Sequence, residues 1–200
     1  MREPIIVFDF DKTLTYKDTL FGFYKAASRS RVLFNVKYPF FLVAAAAYKL
    51  GFISNSGLKK VGIWFYLKGK TREELEAIGK EYAAKIDLNK VYRDVFLNYS
   101  ADQVLIISAS FEEYLKPLFP QYRVTGSQLE YSEWGCVKGL DLNMFGEKKR
   151  EWLEKNKICK IDMLYTDSFS DLPLMKMSNS TFLVSMDSIE NIMDNKKKEL

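Results

Sequence analysis

The stretch "IIVFDFDKTLT", Ile5 to Thr15, runs β-forming residues straight into two carboxylates, Asp9 and Asp11, with Thr13 two places on. Strand residues alternate faces, so Asp9 and Asp11 should point the same way. Like charges that close repel, and burying them is costly without partners. The plain alternative is a turn or helix cap. Against it stands the apolar strand leading into the pair. The chemical reading is a magnesium site with a nucleophilic carboxylate. A cation neutralises the repulsion and holds a phosphate oxygen. One carboxylate attacks phosphorus. The other protonates the leaving oxygen and then deprotonates water.

Three further places carry the same kind of double reading. Ser108 ends "VLIIS" just before "ASFEEYL". With Ala109 it forms either a helix N-cap or a cradle of hydroxyl and N–H groups for phosphate. Lys148 lies in the first turn of "GEKKREWL", where a cation opposes the helix dipole. It reads as a solvated surface lysine or as a cation spanning nucleophile and phosphate. "YTDSFSDLPLM" supplies Asp167 and Asp171. These form a turn and an N-cap, or a third metal carboxylate with a second acid orienting it.

The chain of 200 residues contains no histidine. Ser-His-Asp and Cys-His mechanisms are excluded in their usual form, as is histidine-ligated zinc. A metal site must then rest on oxygen, which favours magnesium. Proton transfer falls to Asp, Glu, Lys, Tyr or Cys. Cys136 and Cys159 lack metal-type spacing and read as ordinary reduced cysteines. With no signal-peptide pattern in "MREPIIVFDFDK", the expected location is the cytoplasm. Hydrophobic residues make up 48%, enough for one sizeable core, or a core with an insertion. Net charge is +4, yet residues 17–70 hold ten bases and one acid, Asp18. That asymmetry points to an anionic partner surface.

The elements that must position these residues follow from pattern. Residues 4–8 read as a strand. From Asp18 to about Tyr99 the pattern is helical: "DTLFGFYKAASRSR", "YPFFLVAAAAYKLGF" with Pro39 near its start, "SGLKKVGIWFYLKG", "TREELEAIGKEYAAKI" with a Thr71–Glu74 capping box, and "NKVYRDVFLNYS". Then come a buried strand at 103–108, a helix closed by Pro120, short strands over 122–140, and the helix "GEKKREWLEKNK". A strand at 160–167, a short helix, the strand "TFLVS" and a terminal helix "SIENIMDNKKKEL" complete the chain. Alternating strands and helices predict a parallel α/β sheet, with a helical block inserted after the first strand. Functional crevices in such sheets lie at the carboxyl ends of the strands. Asp9/Asp11, Ser108 and Asp167 all stand at such ends.

Taken in order, these residues resemble the motifs of the haloacid-dehalogenase-like superfamily of aspartyl phosphatases, over the whole chain. D-x-D-x-T is met by Asp9, Asp11 and Thr13, the second-motif serine by Ser108, the lysine by Lys148 in "FGEKK", and the acidic motif by Asp167 and Asp171. The resemblance implies a Rossmann-like parallel core with helices on both faces, formed by residues 1–16 and 100–200. It also implies an all-helical cap inserted over 17–99. It implies Asp9 as nucleophile and Asp11 as acid and base. Magnesium is expected on Asp9, the backbone carbonyl of Asp11, and Asp167, and phosphate on Thr13, Ser108, Ala109 and Lys148. Two departures touch the acidic motif, where Thr166 and Ser170 replace frequent Gly and Asn.

The insertion resembles that of the phosphoserine phosphatase-like branch, subfamily IB. There an acid near the first motif holds the substrate amine, and Asp18 occupies that place. Against a phosphoserine substrate, the second motif continues Ala109-Ser110 instead of Gly-Gly, and Asp is shorter than Glu. The opening "DTLFGF", the apolar helix and "TDSFSD" also resemble bacterial phosphatidylglycerophosphate phosphatases. The uncharged core of that helix, Tyr38 to Tyr48, is eleven residues. A membrane span needs about 20. It fits an interfacial helix on an anionic membrane surface, or a cap helix packed on its neighbours. The expected function is a magnesium-dependent phosphomonoester hydrolase acting on an amphiphilic or lipid phosphate. The alternatives are a soluble small-metabolite phosphatase, phosphotransfer to an alcohol, and a non-catalytic binding module. No nucleic-acid-binding motif accompanies the basic stretch, so no nucleic acid is expected.

Overall fold

The computed structural model describes residues 3–28, 30–186 and 188–194. Seven strands form one sheet: β1 Ile6–Phe8, β2 Val104–Phe111, β3 Arg123–Tyr131, β4 Val137–Leu142, β5 Ile161–Thr166, β6 Ser178–Ser185 and β7 Ser188–Asp194. Their order is β4-β3-β2-β1-β5-β6-β7. The five central strands pair in parallel, and β4 and β7 join the edges antiparallel.

The short central strand β1 is apolar on both faces because both faces are covered. Ile6 and Phe8 enter one core cluster together with Val104 and Ile106 of β2. Val7 enters a second cluster with Leu105 and Ile107. Helices lie on both sides: α6 Glu112–Leu118 belongs to the first cluster, α7 Glu147–Lys155 and α8 Leu172–Met175 to the second. Register fixes the sheet edge. Phe8 stands opposite Ile106 of β2 and Tyr165 of β5. Phe8, Tyr165 and Phe182 stack face to face across three strands, with centroids 4.5 and 4.7 Å apart. This aromatic row locks the strands one residue before Asp9 and Thr166.

Between β1 and β2 every named element is helical: α1 Leu20–Ala27, α2 Arg31–Lys49, α3 Asn55–Gly62, a π turn Ile63–Leu67, α4 Arg72–Ala83, α5 Lys90–Asp94 and a 3-10 turn Phe96–Asn98. The capping box of α4 forms as read, with Thr71 and Glu74 each satisfying the other's backbone N–H. Pro39, in contrast, stands inside α2 rather than near a helix start. Proline in a helix interior removes one backbone bond. Here it does so on an exposed turn, where water can reach the freed carbonyl.

The reading of the C-terminus is corrected more sharply. Residues 188–194 form β7, paired antiparallel with β6, where a helix was expected. Ile189 and Ile192 are three apart, which mimics helical spacing. The hairpin turns through Met186 at a positive φ of 55° with no glycine to announce it. The basic tail "NKKKEL" lies outside the described residues.

One glycine ties the helical block to the core. A Cβ on Gly79 of α4 would overlap the backbone carbonyl of Glu113 in α6. Gly79→Ala should therefore destabilise the protein by about 1–3 kcal/mol in denaturant melts, through overpacking. Helix propensity alone predicts a gain of about 1 kcal/mol. A measured gain would mean that α4 and α6 do not pack backbone to backbone.

Candidate active site

Strand β1 ends at Phe8, but the Asp9 N–H still donates to the Tyr165 carbonyl at 2.9 Å. The chain then turns. Leu14 N donates to the Phe10 carbonyl at 2.8 Å, and Lys12 takes a positive φ of 58°. The turn gives the two carboxylates different partners. Asp9 Oδ1 accepts from Lys149 Nζ at 3.0 Å. Asp11 Oδ1 accepts from the backbone N–H and hydroxyl of Thr19 at 2.8 and 2.7 Å, and its Oδ2 accepts from the Ser110 hydroxyl at 2.5 Å. Lys149 meets Asp9 and not Asp11. One carboxylate is held by a lysine and the other by neutral donors.

Lys149 is itself only 2% exposed. Its ammonium also meets both oxygens of Asp171, at 2.8 and 2.9 Å, and Thr166 Oγ1 donates to Asp171 Oδ2 at 2.9 Å. A buried chain thus runs Asp9–Lys149–Asp171–Thr166. Burial alone would lower the lysine's pKa, but Asp171 and Asp9 raise it instead, so the cation stays charged. Asp9 is pushed up to about 7, chiefly by burial and further by Asp171 and Asp167, against the pull of Lys149. Asp11 is pushed up to about 6 by burial and by Asp18, against its bonds from Ser110 and Thr19. Burial also raises Asp167, with Lys12 opposing.

These groups line a cavity of about 360 Å³ at the carboxyl ends of β1, β2 and β5. Asp9, Asp11, Asp18, Ser108, Ala109 and Asp167 are all on its wall, as the sequence placed them. Three are not: Asp171, which meets Lys149 instead, Lys148 and Thr13. Lys148 points away and pairs with Glu151 at the surface, at 2.6 Å, while Lys149 is in the cavity wall. The reason is helical periodicity. Lys149 and Leu153, four apart, are the buried face of α7, and the face carrying Lys148 is wet. Leu153 was the signal that could have chosen between the adjacent lysines. Thr13 is fully buried outside the cavity, its carbonyl accepting from Asn89 Nδ2 at 2.9 Å. Ser108 is also no helix cap, since β2 runs on to Phe111 and α6 starts only at Glu112. Its hydroxyl accepts from Ser110 N at 3.0 Å, shaping the bend that carries Ser110 to Asp11.

Besides Lys149, three residues escaped the sequence reading. Thr19 and Ser110 are the donors that hold Asp11. Lys59 of α3 is buried, and its ammonium donates to the Ala109 carbonyl, Asn143 Oδ1 and Ser127 Oγ at 2.5, 2.6 and 2.9 Å. Burial brings its pKa down to about 7 despite Asp11 and Asp18 nearby. A Lys-Lys pair in a basic helix gives no hint that one lysine turns inward.

The donors fit a hard divalent cation. Asp167 raises the cost of charge on Asp9 at one cavity wall, and the carboxylates and hydroxyls there offer oxygen donors. Among the described residues no group of three or more acidic or sulfur side chains is gathered as a closed metal site. Two carboxylates on one cavity wall suit magnesium, which keeps several waters.

The raised carboxylates set a sign for stability. From the ordinary 3.8 up to about 6 and 7, the folded chain holds protons that the unfolded chain has released. Stability of the metal-free protein should therefore fall as pH rises across that window. Thermal melts in chelator should show that fall, and Asp11→Asn should reduce it. An unchanged slope in Asp11→Asn would remove Asp11 as a source.

The family model for haloacid dehalogenase-like hydrolases matches residues 6–176. No curated protein sequence matches significantly. Solved structures are similar throughout. A phosphoserine phosphohydrolase-like protein from Francisella tularensis has a TM-score of 0.61 at 16% identity, covering 89% of this chain and 85% of that one. Phosphoserine phosphatase from T. onnurineus has a TM-score of 0.57 at 16% identity, with 90% and 82% covered. A structure described as a phospho-aspartyl intermediate analogue of phosphoserine phosphatase has a TM-score of 0.59 at 17% identity, with 90% and 86% covered. At such identities the structures speak for the shared fold, and the match over 6–176 speaks for descent: the chain belongs to the haloacid dehalogenase-like hydrolases.

Proposed function

We propose that this hydrolase is a magnesium-dependent phosphomonoesterase that works through an aspartyl phosphate on Asp9. The observation that carries the reading is the division of labour between the two carboxylates on one cavity. Asp9 faces a buried lysine, and Asp11, held by Thr19 and Ser110, has a pKa near 6. An Asp9 oxygen attacks phosphorus, and the bond from phosphorus to the ester oxygen breaks. Asp11 gives its proton to that leaving oxygen. Asp11 then takes a proton from water, the water oxygen attacks phosphorus, and the bond to Asp9 breaks, releasing phosphate. Lys149 balances charge on nucleophile and phosphate, with Ser108 and Ala109 beside the phosphate. Bound magnesium, held by Asp9, Asp167 and the Asp11 carbonyl, supplies charge neutralisation for the phosphate oxygens. The phospho-aspartyl description of one structural neighbour supports the covalent step.

For the substrate, an amphiphilic or lipid phosphate is favoured over phosphoserine by the outer face of α2. Val32, Val36, Phe40 and Val43 follow helical spacing and are each at least 60% exposed. Arg31 and Lys49 stand at the ends of the helix. An apolar stripe flanked by bases suits the boundary of an anionic bilayer. No helix among the described residues is long and apolar enough to cross a membrane, so the proposed contact is peripheral. Residues 17–99 act in this reading as a cap over a core of residues 1–16 and 100–200.

Phosphate release from an ester panel, with phosphoserine and phosphatidylglycerophosphate side by side, tests the reading. Activity should require magnesium, fall at least about a thousandfold in Asp9→Asn, and fall about a hundredfold or more in Lys149→Ala. Lys148→Ala should stay near wild type. Activity surviving in Asp9→Asn would end the covalent mechanism. In flotation with vesicles containing anionic lipid, the protein should rise with the vesicles and Val36→Glu/Phe40→Glu should not. Wild-type protein left at the bottom would end the membrane reading.

A further inference from the structure

A second cavity, of about 300 Å³, opens beside the carboxylates. Its walls are Phe21 and Tyr24 of α1, Tyr38, Phe41 and Leu42 of α2, and Leu58 of α3, and Asp18 and Leu20 are at its rim. Asp18, Leu20 and Leu58 also line the carboxylate cavity, so the two spaces are neighbours with a common wall. The lining is almost wholly apolar. Its rings are set against one another: Phe21 stacks on Phe41 at 5.7 Å, and Tyr38 tilts against Phe21 at 5.3 Å. The Tyr24 hydroxyl is turned to the Lys59 carbonyl at 3.3 Å, which leaves its ring as wall. The one carboxylate stands at the junction, where Asp18 Oδ1 accepts from Leu20 N at 3.0 Å. At the outer end Leu42 is 47% exposed, beside the apolar face of α2.

We propose that this groove is a substrate subsite for hydrocarbon, so that the site takes a phosphomonoester whose apolar tail leaves the phosphate through the space between Phe21, Phe41, Leu42 and Leu58. The inference rests on the phosphatase reading and specifies its substrate class. Charge and polarity change in a fixed order along the two cavities. First comes a highly charged end where carboxylates, lysines and hydroxyls meet, then the Asp18 carboxylate at the junction, then apolar walls. A ligand that matches carries phosphate, then a hydrogen-bond donor such as a hydroxyl or ammonium, then hydrocarbon. A compact polar ester such as phosphoserine fills only the first two zones and leaves aromatic walls wet. Hydrocarbon in the groove removes apolar surface from water on both partners.

The test is phosphate release from single-chain n-alkyl phosphates, ethyl to decyl, each kept below its micelle concentration, with magnesium. For wild type, kcat/KM should climb by roughly twofold to fourfold per added methylene over the first several carbons and then level off; the upper figure is that for a fully buried methylene. Leu42→Glu places a charge at the half-exposed mouth and should collapse the ratio of long to short esters. Leu50→Glu, which adds the same charge at the end of the same helix, should keep that ratio. Calorimetry with ethyl- and octylphosphonate reads binding without turnover and should show the same preference, with a negative heat-capacity change for the long ligand. Turnover of all chain lengths with equal kcat/KM, or an undiminished preference in Leu42→Glu, overturns the groove and leaves the phosphatase standing. No phosphate from any ester overturns the phosphatase reading, and the groove falls with it.

Discussion

Lys149 is the charge on which this sheet edge depends. Asp9 and Asp171 both meet its ammonium; Lys149 and Asp171 are withdrawn from water and Asp9 is mostly so. Removing one partner of such a buried set leaves uncompensated charge, which costs several kcal/mol. The set therefore demands that α7 approach with a definite rotation. Gly146, at a φ of 57°, turns the chain into the helix, and Leu153 seats the same face one turn later. Strand β5 is bound by the same demand, because Thr166 supplies the hydroxyl that completes Asp171. A cluster that is electrostatically costly when incomplete thus fixes three separate elements around β1.

The sequence carried the core of this arrangement because its signals are short-range. Apolar runs ending in acids or serine mark strands buried on both faces, and the parallel register then brings Asp9, Ser108 and Asp167 to one edge without further information. The Thr71–Glu74 capping box is equally local. What was not legible depends on rotation or on contacts far along the chain. Choosing Lys149 over Lys148 requires the phase of α7 relative to Leu153. Finding Thr19 and Ser110 requires knowing which distant residues the turn at Lys12 brings to Asp11. The expectation that Asp9 and Asp11 point the same way assumed that the strand continues, and it stops at Phe8. At the C-terminus, three-residue spacing of isoleucines looked helical, and only pairing with β6 decides for strand.

Lys59 shows how the helical insertion and the core constrain each other. Its ammonium has three oxygen partners, Ala109, Ser127 and Asn143, all from the core. Asn143 in turn donates to Asn55 and Ser56 at the start of α3, both at 2.9 Å. A buried lysine is tolerated when such partners replace its water shell. Moving α3 away from β2 would break this set together, and water would have to take its place. The same lysine stands beside Ala109, so the contact that seats α3 also fixes the wall of the carboxylate cavity.

Burial and polarity are accordingly distributed in opposite ways over the two parts of the chain. The sheet edge gathers carboxylates and lysines, where a displacement of an ångström would cost much of the electrostatic benefit. The helices between β1 and β2 keep Phe34 and Phe41 buried but leave most of α2 apolar and exposed. A surface of that kind is costly for a protein that meets only water, and monomeric soluble proteins rarely show large contiguous ones. A highly charged sheet edge is thus joined to helices with an apolar outer face, and the junction is Asp18 with Leu20 and Leu58, residues common to both cavities. The exposed face of α2 is remote from the contacts of Lys149, whereas α3, through Lys59, is bound to the wall of the carboxylate cavity.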